Sequence, residues 1–141
     1  MAATTTNQDA GTFSDGYDVE LDKLAPSADV PADTLAVNDG GEVKRFTSAL
    51  YVAGKPLLGR AHQHYANPSS TDTKMGRFTF RRGCPMRIAT KSGDAPTRSY
   101  VGGYVYVSDN FEIQKTAITD GLKVFLIQLS ADESYGTIQL P

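Results

Sequence analysis

Tryptophan is missing from the sequence, cysteine occurs once (Cys84) and histidine twice (His62 and His64). A single cysteine excludes an intrachain disulfide framework and a cysteine-based zinc site. Apolar runs stay well short of the roughly 18 residues of a transmembrane helix. The opening MAATTTNQDAGTFSDG has neither the basic start nor the apolar core of a secretory leader. These features fit synthesis in a reducing cytoplasm without membrane insertion. Catalytic signatures are missing too: there is no G-x-S-x-G elbow, Walker loop, G-x-G-x-x-G after a strand, or H-E-x-x-H. The carboxylates crowd into the first third, where no apolar pocket surrounds them to raise a pKa. Neither enzymatic activity nor a bound cofactor is expected.

What the chain does have is thirteen glycines, seven prolines and an uneven distribution of charge behind a net −2. Residues 1–43 hold nine acids against Lys23 alone, and residues 44–98 hold eleven bases against Asp72 and Asp94. Residues 99–141 hold five acids against Lys115 and Lys123. Either the acidic segment meets something other than the face shown by the basic one, or it folds onto that face. At 141 residues a single domain is the simplest organisation. Residues 1–16 carry almost no apolar side chains and read as an arm that cannot repay its own ordering entropy. Phe13 and then Tyr17 are isolated aromatics in this polar setting, suited to anchor on a partner. The expected division is a flexible arm over 1–24 and one β-rich domain over 25–141.

Alternation marks the strands. Val19, Leu21 and Lys23 alternate with Asp18, Glu20 and Asp22, and FTSALYV (46–52) is apolar and β-branched enough for another strand. In RFTFR (77–81), Phe78 and Phe80 face one way while Arg77, Thr79 and Arg81 face the other. YVGGYVYVSD (100–109) puts Val105 and Val107 opposite Tyr104 and Tyr106, and FEIQKTAI (111–118) follows after the short link Ser108-Asp109-Asn110, a hairpin signal. KVFLIQL (123–129) is apolar on both faces, which suits a central strand, and GTIQLP carries Ile138 and Leu140 on one side. Strands at spacings of about ten residues, separated by Gly, Asp, Asn and Ser, predict an all-β fold, a small antiparallel β-barrel or sandwich. The polar stretch 62–74 reads as a surface loop. No internal repeat is evident.

RFTFRRGCPMRI (77–88) concentrates four arginines, two phenylalanines and the cysteine. Arginines near Cys84 favour a thiolate, yet a nucleophilic cysteine needs a positioned base and only two histidines exist. Gly83-Cys84-Pro85 reads better as the turn that ends a strand. A single-strand nucleic-acid site would place aromatics and arginines on one surface, whereas the alternation separates them, and the chain is mildly acidic. His62 and His64 would share a face on a strand, as two metal ligands can, with Asp72 or another acid brought in by the fold as the third. As surface histidines at a loop edge they need no metal.

The order of segments 56–59 (PLLG), 76–90 (GRFTFRRGCPMRIAT), 97–117 and 122–141 resembles the head decoration, or cement, proteins of tailed bacteriophages. A G-x-F-x-F strand precedes Gly103-Tyr104-Val105-Tyr106-Val107. The hairpin Ser108-Asp109-Asn110-Phe111-Glu112-Ile113 comes next, with Asn110 in place of the usual Gly. Lys123-Val124-Phe125-Leu126-Ile127 follows, with Phe125 in place of Gly, and Gly136-Thr137-Ile138-Gln139-Leu140 ends the pattern. The resemblance implies a β-tulip-like, all-β protein with an extended N-terminal arm. It also implies a homotrimer that binds the major capsid protein on the outer surface of an icosahedral shell after expansion, with no chemistry of its own. Phe13, Tyr17 and Val19 are then the candidate capsid contacts, and Arg77, Arg81, Arg82 and Arg87 candidates for a trimer or capsid interface. The alternatives are a small single-strand nucleic-acid-binding barrel and a β-rich tail or adaptor component of the virion.

Overall fold

Strand β1, Tyr17–Leu24, alternates acids outward with Val19 and Leu21 inward, and it finds its partner far along the chain in β7, Lys74–Arg82. The two run antiparallel with Asp18 opposite Arg81, Val19 opposite Phe80 and Leu21 opposite Phe78. A computed structural model of the chain describes residues 16–141. Between these strands lie β2 (Asp29–Val30), β3 (Leu35–Asp39), β4 (Glu42–Arg45), helix α1 (Ser48–Val52), β5 (Leu57–Ala61) and β6 (Tyr65–Ala66). After β7 come β8 (Pro85–Thr90), a 3-10 turn at Arg98–Tyr100, β9 (Tyr104–Val107), β10 (Glu112–Gln114), β11 (Lys123–Leu129) and β12 (Tyr135–Gln139).

These strands close into two five-stranded barrels, ordered β1-β4-β3-β5-β7 and β10-β8-β12-β11-β9, while β2 and β6 form a separate two-stranded ladder. The chain is thus all-β, as its alternation predicts, and of the barrel and the sandwich that the alternation allows the strands form barrels, each with one parallel pair. The two rings are wired identically. In each, the first strand runs parallel to the third (β1 with β4, β8 with β10). The third pairs antiparallel with the second, the second with the fourth, the fourth with the fifth and the fifth with the first. A sequence echo accompanies the shared wiring. Val37-Asn38-Asp39-Gly40-Gly41-Glu42-Val43 matches Val107-Ser108-Asp109-Asn110-Phe111-Glu112-Ile113, and the strand Gly76-x-Phe78-x-Phe80 matches Gly136-x-Ile138-x-Leu140. The hairpins also share a left-handed residue, Gly41 at φ 95° and Phe111 at φ 58°. A side chain at Phe111 tolerates this conformation less readily than glycine does. The molecule is a tandem of one module, a repeat that reading along the chain does not reveal.

Each barrel has its own interior. Leu24, Ala36, Val43, Leu58, Phe78 and Phe80 fill the first, with Tyr65 from β6 capping it. Met86, Ile88, Val105, Val107, Ile113 and Leu126 belong to the second, and their cluster continues into Leu35, Val37, Phe46 and Leu57 from the first. Strand β3 is buried on both faces for this reason: Ala36 looks into its own barrel while Leu35 and Val37 join the apolar cluster shared with the other. The junction is Gly83-Cys84, the turn expected from Gly-Cys-Pro, with Gly83 at φ 84°.

Three expectations are corrected. Residues 17–24 are a barrel strand and not the end of an arm; residues 1–15, including Phe13, lie outside the described residues. FTSALYV is not a strand: Thr47 caps a short helix, its Oγ1 accepting from Leu50 N at 3.2 Å, and Leu50 and Tyr51 pack against the shared core. KVFLIQL is not buried on both sides, because a strand of a closed barrel has one inner and one outer face. Val124 and Leu126 point inward, and Phe125 and Ile127 are left outside.

Candidate protein-interaction surface

The charge asymmetry of the sequence largely disappears in three dimensions. Residues 16–82, the first barrel, hold eight acids and nine bases, and residues 83–141 hold six acids and five bases. The acidic strands and the basic strands are neighbours in one ring, so the acidic segment folds onto the basic one. Asp18 accepts from Arg81 at 3.2 Å and lies 3.0 Å from His62, and Glu20 pairs with Arg77. Asp33 pairs with Arg60, and Asp39 with Lys44 and Lys55. Hydrogen bonding from Arg81 holds the Asp18 carboxyl below its ordinary range, and Lys44 does the same for Asp39. The Arg77 and Arg81 guanidiniums are pushed up in turn by Glu20 and Asp18.

Each candidate residue can now be placed. Tyr17 is exposed at the start of β1, while Val19 is half-buried and packs against the first core. Arg77 and Arg81 stand on the outer face of β7 in the ion pairs just described. Arg82 is different. Its Nη1 donates to Leu57 O at 3.0 Å and its Nη2 to Pro141 O, and its Nε is buried with no hydrogen-bond partner among the described residues. It lines a cleft of about 430 Å³ with Tyr51, Lys55, Pro56 and Pro141. Arg82 therefore ties the end of the second barrel to β5 of the first. Replacing it with Ala should lower stability by about 1–2 kcal/mol through loss of charged donors to backbone carbonyls, measured by urea unfolding. An unchanged midpoint would show that these bonds are not kept in solution.

His62 and His64 part company: His62 meets Asp18 on β1 and His64 meets Asp29 on β2. Among the described residues no cluster of three or more His, Cys, Asp or Glu side chains could hold a metal ion. No family model, curated protein or solved structure matches the chain.

The feature that sequence reading missed is the outer face of the second barrel. Tyr104 is 62% exposed, Tyr135 43%, Ile127 39% and Phe125 37%. Tyr104 and Phe125 are directly opposed on β9 and β11, their rings 5.7 Å apart and edge to face at 73°. On the other side Arg87 of β8 lies 4.3 Å from the centroid of the Tyr135 ring on β12, a cation–π contact. The signal was present in KVFLIQL, whose two apolar faces mean a buried central strand in a sheet but an apolar exterior in a barrel.

The turn between β11 and β12 positions Tyr135. Ser130 Oγ accepts from Tyr135 N at 3.1 Å, while Asp132 accepts from both the Ser130 and Ser134 hydroxyls. Those bonds, Ser134 first, lower the Asp132 carboxyl to about 2. Its folded value lies below the ordinary one, so the contribution of Asp132 is fully present above about pH 4. It is lost as pH falls through 2. Carbon-detected NMR titration should give Asp132 a midpoint near 2; a midpoint near the ordinary value of about 4 would mean the turn is open in solution.

Proposed function

We propose that the chain is a structural virion protein that binds the outside of an icosahedral phage capsid as a trimer and stabilises the expanded shell by bridging major capsid subunits. It would be made in the bacterial host cytoplasm, and its function is a binding free energy multiplied over many copies. The observation that carries this proposal is the apolar exterior of the second barrel. Closed barrels have no free sheet edges, so strand addition is not open to them and contacts fall to side-chain surfaces. The segments that resemble decoration proteins, 56–59, 76–90, 97–117 and 122–141, take in all five strands of the second barrel together with parts of β5 and β7 of the first. Cyclic symmetry would suit a threefold position in the lattice.

Single-strand nucleic-acid binding is the rival, favoured by one observation: aromatics and the cations Arg87 and Lys123 do share a face, though on the second barrel and not on β7. Two cations make a poor backbone groove, since affinity for nucleic acid rests on neutralising many phosphates. The test is to mix the purified protein with expanded capsids that lack it and to measure cosedimentation, alongside its mass in solution with and without a labelled oligonucleotide. Saturable capsid binding and indifference to the oligonucleotide are expected. Absence of capsid binding, or oligonucleotide binding with a steep salt dependence, would overturn the proposal.

A further inference from the structure

The duplicated wiring allows the two exteriors to be compared position by position. Where β7 shows Arg77 and Thr79, β12 shows Thr137 and Gln139, so the charged outer strand of the first barrel is neutral in the second. Strands β8, β12, β11 and β9 contain no carboxylate at all; their only charges are Arg87 and Lys123, both exposed. The face is therefore aromatic and aliphatic with two outlying cations. Clusters of Tyr, Phe and Arg of this kind carry most of the energy in protein interfaces. A partner must bring apolar contact and carboxylates.

The same face of a second copy carries no carboxylate to supply them. Elsewhere Asp18, Glu20, Asp33 and Asp39 are held by their own arginines, lysines or histidine, and Asp132 and Glu133 accept bonds within the second barrel. Asp22, Asp72, Glu112 and Asp120 are the carboxylates without a hydrogen-bond or ion-pair partner among the described residues. Two such faces placed together would also oppose Arg87 and Lys123 to like charges. Nucleic acid would gain from the rings but has no use for exposed Ile127. We infer that the outer face of β9, β11 and β12, flanked by Arg87, is the surface that seats on a different protein, against a segment presenting carboxylates around an apolar side chain. This rests on the capsid-surface function proposed above, and the partner is then the shell subunit and not a neighbouring decoration chain.

Two surface variants test it: Tyr104→Ser with Phe125→Ser, and Arg87→Glu with Lys123→Glu. Each is compared with wild type for cosedimentation with expanded capsids that lack this chain, with circular dichroism and solution mass as checks. Both pairs should keep the wild-type spectrum and oligomeric mass and bind capsids roughly tenfold or more weakly. Wild-type-like capsid binding by both variants overturns this inference while leaving the proposed function standing. A drop in oligomeric mass for the Tyr104/Phe125 variant makes a second copy the occupant and overturns it too. So does protection of the rings by a labelled oligothymidine. Failure of the wild-type protein itself to bind capsids overturns the function, a separate result. If the Ser pair unfolds, the charge-reversal pair, which leaves the Tyr104–Phe125 ring contact in place, decides alone.

Discussion

Phe80→Ala is expected to destabilise the protein by about 3–5 kcal/mol, as for other fully buried aromatic truncations. Phe80 is completely buried, opposite Val19 on β1 and Ala61 on β5, so it sits where three strands of the first barrel meet. Tyr65 stands edge-on to it with ring centroids 5.7 Å apart. In a closed ring the strands cannot collapse into the space without breaking register, so the cavity persists and the cost stays near the top of the range. Since small proteins hold only about 5–15 kcal/mol in total, this removes a large share of the stability. Urea denaturation followed by tyrosine fluorescence checks this, and a loss below about 1 kcal/mol would place Phe80 outside a packed core.

Asn67→Ala is the second large effect, about 2–4 kcal/mol. Asn67 is buried in the long 62–74 connection, and its Nδ2 reaches Leu24 O at 3.2 Å, Ala25 O at 3.1 Å and Asp72 O at 2.8 Å. Its Oδ1 accepts from Ser69 N. One amide thus pins a polar loop to the end of β1, and alanine removes this donor from the Leu24, Ala25 and Asp72 carbonyls, of which Ala25 O keeps a bond from Ala28 N. Faster amide hydrogen exchange across residues 65–73 should accompany the loss of stability. Unchanged exchange there would show that the loop is held by the β2–β6 ladder instead.

The inward positions were legible because alternation is a local property. Phe78, Phe80, Val105, Val107 and Ile138 are buried as their spacing indicates, and Gly83-Cys84-Pro85 forms the expected break. Ring closure was not legible. It places β1 beside β7, far away in sequence, and so turns an apparent arm into a barrel strand and an apparent charge asymmetry into Asp18–Arg81 and Glu20–Arg77 pairs. FTSALYV misled because a local cap outweighs β propensity: Thr47 fixes the first turn of a helix, and the shared core takes up Leu50 and Tyr51. The repeat escaped notice because only the hairpin and the Gly-x-apolar-x-apolar strand keep a common pattern. The connection before β7 carries β6 and a long loop, while the one before β12 is a tight turn. The arginines of 77–88 drew attention by their number, yet Arg77, Arg81 and Arg82 are occupied within the chain, and exposed Phe125 went unnoticed in a strand that looked like core.

An image of the intact particle tests the central claim most directly. The capsid-surface function predicts paired small barrels on the outside of the expanded shell at threefold-related positions, with the Phe125 face of the second barrel turned toward the capsid subunit. Particles whose outer surface carries no such density, or in which this chain lies at the tail or around the genome, would contradict it.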